Sequence, residues 1–463
     1  MSQRNGLFLF HRDFRIVDNI GLNLASNDVT HLYTCFIFTP EQVTGRNHYK
    51  SKNSVQFMIE SLIQLSDELN ESGGSLITMY GETLDVLRKL VRTLKINTIY
   101  FNRDYTPYAI KRDESIQKLC SSMGIECKMS DDYYLHVPGT IGNKNHKMYQ
   151  RFTVFYEDAL LRNVDIPNRK TIKNFAKSLE HTINLDDAMI KFVGKKINNE
   201  LAVHGGRYLG LERLKNAVKK LNHYDDTRDI MSVETSRLSA YLKYGCVSVR
   251  EVFHAFKMRY NLHSSFLREL IWRDFFAHLL FAYPDTLVRL HNEEFRNIKW
   301  KGNEKWLTAW KRGETGFPLV DAGMRELNHT GYMHNRARML VATVLIKVLL
   351  LNWKDGEQYF AQQLVDYDVA SNLGNWASVV GGGAYSMPWF RVMSPWEQSK
   401  KYDKDASYIK MWIPELREVP AKDIHKWYKH ASNYSTISYP KPIVDYSEKK
   451  EEFLAMVKEA YNS

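Results

Sequence analysis

Over residues 6 to 130, short apolar runs alternate with helical patterns, and this limits the fold more than any other feature of the chain. The runs Gly6–Phe10, His31–Phe38, Leu76–Tyr80 and Thr98–Phe101 are too short for helices. Their nearly unbroken hydrophobicity predicts strands buried on both faces. Between several of them, 54–69, 84–94 and 109–123 carry a helical period. Strand, helix, strand in this order implies a parallel sheet covered by helices. Such a sheet can take a ligand beyond its strand ends. Neither a GxGxxG motif nor a P-loop occurs, so nicotinamide dinucleotides and nucleoside triphosphates have no claim on it.

From about residue 131 the pattern decays. Val137-Pro-Gly-Thr-Ile-Gly142 is turn material, and 163–201 is polar and basic. This predicts a long connection over the surface of one domain, with room for a short helix or two. From about 205 the chain reads as helix after helix. The expected organisation is therefore an α/β domain over 1–130, a linker over 131–204 and an all-α domain over 205–463. All ten Trp fall in the last part, so stacking and one-electron chemistry are expected there.

The formal charge of +11 suits a polyanionic partner, although a merely basic protein would look the same. Aromatic residues make up 13% of the chain, which fits stacking on bases or on a ring cofactor. Cys35, Cys120, Cys127 and Cys246 form no CxxC pair and no zinc spacing, so no metal is expected. They read as reduced core thiols of the cytoplasm or nucleus. No signal-peptide pattern opens the chain, and the longest apolar run, 340–351, is interrupted by Lys347 and too short to span a bilayer. A monomer without membrane attachment is expected.

Three runs in the helical part carry chemistry. Asp368, Asn372 and Trp376 are spaced i, i+4, i+8. Asn335, Arg338 and Met339 are spaced i, i+3, i+4, and so are Glu269, Trp272 and Arg273. Each would put polar groups beside an aromatic or a Met on one helix face. Any one run alone would be an amphipathic helix with a buried ring. Three together predict a concave pocket for a planar ligand with polar edges.

These residues resemble the photolyases and cryptochromes, flavoproteins that repair ultraviolet damage in DNA or sense blue light. Leu7-Phe-Leu-Phe-His-Arg-Asp-Phe-Arg-Ile-Val-Asp-Asn19 looks like the family's opening strand and loop. Thr235-Ser-Arg-Leu-Ser239, Arg268-Glu-Leu-Ile-Trp-Arg-Asp274, Gly316-Phe-Pro-Leu-Val-Asp-Ala322, Gly331-Tyr-Met-His-Asn-Arg336 and Asp366 to Trp376 match its flavin-domain motifs in order. The resemblance implies FAD in the helical domain. It places Tyr224, Thr235, Ser236, Arg237, Leu238, Ser239 and Arg273 among the FAD contacts. Arg338 and Asp366 match an ion pair beside the flavin ring, and Asp368 and Asn372 match groups at its edge. It implies ultraviolet-damaged DNA as partner, with Glu269 on the flipped bases and Trp272 as one wall of the slot. Asn335 and Met339 match cyclobutane-dimer contacts, and Arg228, Arg336 and Arg391 match phosphate contacts. Trp376, Trp353 and Trp300 match a chain of indoles that carries electrons from the surface to the flavin.

The resemblance implies a light-driven lyase that splits cyclobutane pyrimidine dimers. The alternatives are a cryptochrome-like photoreceptor and a non-photochemical flavoprotein that binds nucleic acid. Two positions depart from the family. Ser378 stands where a second slot Trp is usual, which predicts a low, wet wall that an indole at 378 would rebuild. Tyr105-Thr-Pro-Tyr-Ala109 lacks the Asn-Glu pair of folate-binding relatives, so an antenna chromophore is left unassigned and folate is disfavoured.

Overall fold

The computed structural model describes residues 4–462. The first part is a five-stranded parallel sheet of order β3-β2-β1-β4-β5. Its strands are β1 (Asn5–Phe10), β2 (His31–Phe38), β3 (Leu76–Tyr80), β4 (Thr98–Asn102) and β5 (Glu126–Ser130). The four expected strands are present. The fifth was not anticipated because it is an edge strand with Glu126 and Lys128 on its open side, so it lacks a continuous apolar run.

Strand alternation sorts the core. Leu7 and Leu9 of β1 join Cys35, Ile37, Ile99 and Phe101 on one face, under the helices Thr83–Thr93 and Pro107–Ser122. Phe8 and Phe10 point the other way, toward Phe36, Phe38 and the helix Lys52–Glu71. That second core continues into the helical part, where Phe57 stacks on Tyr244 at 5.3 Å. The halves are also locked by buried charges. Arg250 pairs with Asp18 at 3.0 Å and with Asp132 at 2.7 Å, and Arg15 pairs with Asp132 at 2.5 Å. Removing one member of such a cluster strands a buried charge, at about 3–5 kcal/mol.

The connection after β5 holds two helices, Phe152–Leu160 and Leu185–Phe192. It does more than cross a surface. Phe152 stacks face to face on Trp272, with centroids 3.5 Å apart. Beyond Ser130 no further strand occurs among the described residues. The helix Ser239–Lys243 starts just after Arg237, which takes a left-handed backbone with φ of 48°. The helix Tyr446–Asn462 went unread, although Phe453, Met456, Val457 and Ala460 stand at i, i+3, i+4, i+7 and are all buried. No helix of the described residues is long and apolar enough to cross a membrane.

Candidate functional site

The loop Arg228–Asp229 ties together two of the predicted runs. Arg228 pairs with Glu269 at 3.0 Å on the helix Ser265–Ala282. Asp229 pairs with Arg336 at 2.6 Å on the helix Asn335–Lys347, which His334 caps through its Nδ1. The third run follows on the helix Val369–Val380. Asp366 accepts bonds from Arg338 at 2.9 and 3.1 Å and from the Ser239 hydroxyl at 2.6 Å. One carboxylate thus joins the 235–239 loop, the 335–347 helix and the start of the third run.

Asp368 works differently. Its side chain caps the 369–380 helix through the Ser371 N–H at 3.0 Å. It also pairs with Arg12, from the loop after β1, at 3.1 Å. Burial alone would push this carboxyl up, but Arg12, Arg273 and Lys243 together outweigh it and hold it at about 2. Burial in turn lowers the Lys243 ammonium to about 8, against the pull of Asp368. Arg273 donates to the Tyr133 carbonyl at 2.6 Å and lies over the Tyr134 ring at 4.5 Å.

The Asn372 carboxamide spends its N–H group on Glu357, at 3.1 Å to Oε1 and 3.3 Å to the carbonyl. Its oxygen accepts no protein hydrogen bond among the described residues, so it is left to accept one from a ligand. The Tyr332 ring sits between the Arg237 and Arg338 guanidinium groups, at 5.4 and 5.3 Å. Hydroxyls of Thr235 and Ser236 make only long contacts of 3.4 and 3.5 Å within the protein. An open carboxamide oxygen, two cations and two underused hydroxyls fit a flavin ring joined to a diphosphate. Tyr224 borders the same loop, its ring 5.7 Å from Phe266, and burial raises its phenol. Leu238 is buried in the core behind it.

On the outer side, the Glu269 carboxyl is raised, chiefly by desolvation and against Arg228, yet its side chain is still 42% exposed. A group ringed by protein but open to solvent lines a cleft. Trp272 stands one turn further on, its ring backed by Phe152. Asn335 is exposed at the helix start and Met339 is half-buried. Arg336 lies over Tyr402 at 4.6 Å, so Arg228 and Arg336 are both ion-paired rather than free. Arg391 is exposed, and the carbonyls of Trp389 and Arg391 both accept from the buried Lys347 amine, at 3.0 and 3.1 Å.

Trp376 and Trp353 are buried at 2% and 4% exposure, and Trp300 is partly open, so burial falls along the proposed order. Gly356 makes room for Trp376, since a Cβ there would lie 2.2 Å from its ring. Trp310, which sequence reasoning passed over, faces Trp376 at 6.3 Å, and Phe360 faces it at 5.0 Å.

Ser378 differs from expectation. It is 3% exposed rather than wet. Its carbonyl and its hydroxyl both accept from the Met387 N–H at 3.2 Å, so the glycine-rich loop folds down over it. An indole at 378 would have to displace that loop.

A second cavity of about 600 Å³ opens at the strand ends, where the strand order reverses. Leu9, Phe10, Phe36 and Ile37 line it, with His11, Arg46, Arg112, Lys354 and Glu357 among its polar groups. His11 Nε2 and Glu357 Oε2 are buried without hydrogen-bond partners, although the Lys354 amine lies 3.9 Å from Glu357 Oε2. Sequence reasoning missed Glu357, Arg12 and Lys243. All three act through partners distant in the chain, and no local pattern marks them.

Comparison with known proteins places these features. Residues 6–171 match the family described as DNA photolyase, and residues 266–459 match the FAD binding domain of DNA photolyase. A deoxyribodipyrimidine photo-lyase of Buchnera aphidicola is 34% identical, covering 99% of this chain and 97% of its own. An archaeal photolyase from Sulfolobus tokodaii, solved with two FAD molecules, is 38% identical with a TM-score of 0.88, covering 98% of this chain and 100% of its own. A class III photolyase from Agrobacterium tumefaciens is 30% identical with a TM-score of 0.92, covering 100% and 99%.

Proposed function

This chain belongs to the DNA photolyase family, and from that premise we propose that it splits cyclobutane pyrimidine dimers in ultraviolet-damaged DNA when illuminated. One observation carries the reading at the site. Glu269 is a carboxyl raised by burial yet open to a cleft, one helical turn from the Trp272 indole. Burial favours the protonated form, which can donate a hydrogen bond to a base carbonyl and stabilise that oxygen as negative charge develops on it, while Arg228 at 3.0 Å holds the ionised form. Trp272 stacks on one pyrimidine of a flipped dimer, and Phe152 holds its ring from behind.

When bound in its reduced form, FAD would supply light absorption and the one electron needed to open the dimer's two ring-joining carbon–carbon bonds. The residues proposed to hold it are Tyr224, Thr235, Ser236, Arg237, Leu238, Ser239, Arg273, Arg338, Asp366, Asp368 and Asn372. Arg338 and Asp366 form a fixed pair at 2.9 Å, so neither needs to reorganise as charge moves. Asn372, braced by Glu357, offers an accepting oxygen. Trp376, Trp353 and Trp300 are proposed to resupply electrons, and Asn335, Arg336, Met339, Arg228 and Arg391 to contact DNA. The cavity at the strand ends is proposed to hold an antenna group. It is large and apolar enough for a planar ring system, and His11 and Glu357 offer polar atoms to its edge.

The division into 1–130, 131–204 and 205–463 is proposed on the same footing, as is action by a monomer in the cytoplasm or nucleus. The last strand ends at Ser130 and the helical run starts at Arg207. The test is dimer content of irradiated DNA incubated with reduced protein, in light and in darkness. Light-dependent loss is expected. Equal dimer content in both arms overturns the reading.

A further inference from the structure

From the fold of the loop over Ser378, we infer that Tyr385 is the second wall of the dimer slot and takes the place of the missing aromatic at 378. The inference rests on the dimer-splitting reading. The loop is pinned at both ends. The Gly383 N–H donates to the Ala377 carbonyl at 3.1 Å, and the Met387 N–H donates to the carbonyl and hydroxyl of Ser378. The Ser386 hydroxyl closes the turn on the Gly383 carbonyl at 2.7 Å. Residue 385 is therefore held over the helix position where a large side chain is absent.

Its ring is placed for the task. Tyr385 meets Trp272 at 5.3 Å with an interplanar angle of 66°. Phe275 supports it edge-on at 5.6 Å. The carbons joining a cyclobutane dimer are tetrahedral, so its two pyrimidines are inclined like the covers of a half-open book. The two rings touch edge to face and so form adjoining walls of one corner, against which inclined pyrimidines can lean. The phenol also distinguishes a wall from a core filler. A buried Tyr normally bonds its hydroxyl, but this one has no protein partner among the described residues and the residue is half-buried. Ser378 is small because the loop needs its space: the hydroxyl that replaces the indole fastens the segment carrying the replacement ring.

The test is equilibrium binding of the FAD-loaded protein to an oligonucleotide with one thymine dimer and to the same oligonucleotide undamaged. Tyr385→Leu keeps bulk without a ring and is expected to weaken dimer binding about 5- to 150-fold, the equivalent of about 1–3 kcal/mol for stacking a base. Its binding to undamaged DNA should stay within two-fold of wild type. Tyr385→Phe keeps the ring and should match wild type on both. If Tyr385→Leu keeps wild-type preference, or Tyr385→Phe loses it, this inference falls while the reading stands. A wild type without preference for the dimer overturns both.

Discussion

The cavity at the strand ends and the cleft between the helices are lined differently, the first mainly by apolar side chains and the second mainly by paired charges. Leu9, Phe10, Phe36 and Ile37 give the first a wall that selects by shape and area. The second is strung with charges, from Arg338–Asp366 to Arg12–Asp368 and Arg228–Glu269. An apolar wall accepts many ring systems at similar free energy, because burial is non-directional. A cleft of fixed charges accepts few, because every displaced partner leaves a buried charge unpaired. This is why the residues around the cleft point to one cofactor, while those around the cavity leave the antenna open.

Substitutions can break this contrast. The largest effect is expected for Arg338→Leu, which leaves Asp366 buried with only the Ser239 hydroxyl. About 3–5 kcal/mol of site stability should go, and the purified protein should lose its FAD, read as the ratio of flavin to protein absorbance. Any antenna group should remain bound. Normal FAD content in this variant would mean that charge does not hold the cleft.

The next effect is in pH. The Asp368 carboxyl lies at about 2 in the folded protein, against about 3.9 in an unfolded chain. A depressed carboxyl stabilises above its unfolded value, and that stability is lost as pH falls. Between about pH 4 and pH 2 the contribution is on the order of 2 kcal/mol. Urea midpoints of Asp368→Asn, which keeps the helix cap, should fall less steeply with acid than those of wild type. Parallel curves would show that Arg12, Arg273 and Lys243 do not set this carboxyl.

A smaller effect is expected for Trp376→Phe. Photoreduction of the oxidised protein by an external donor should slow about ten-fold, roughly 1.4 kcal/mol in barrier, while repair by chemically reduced protein continues. Trp310, 6.3 Å away, is the competing route if the rate is unchanged. The smallest effect belongs to the cavity. Ile37→Trp should fill part of it and remove any second chromophore band. Repair in saturating light should be unchanged, and repair in dim light should fall only a few-fold.

Sequence patterns carried the sheet because β1 to β4 are buried on both faces and read as continuous apolar runs. They missed β5, whose charged edge hides it. They carried the three chemical runs because helical spacing is local. They did not carry Arg12, Glu357 or Tyr385. Arg12 reaches Asp368 across 356 residues, and Tyr385 is placed by a loop whose course depends on the bonds Ser378 makes. At Ser378 a correct local observation, a missing indole, led to a wrong expectation of an open wall, because the segment that covers it lies in a glycine-rich stretch without periodicity.

The Arg12–Asp368 pair also has a history within each newly made molecule. Arg12 leaves the ribosome early, and its partner follows 356 residues later. At roughly 5–20 residues per second the wait is on the order of 20–70 s. Over most of that time Asp104 is already present to engage the guanidinium, as it still does at 2.8 Å. The first domain can therefore close around a paired arginine and wait. The cofactor cleft, by contrast, cannot be complete until Asn372 has been made, about four-fifths of the way along the chain.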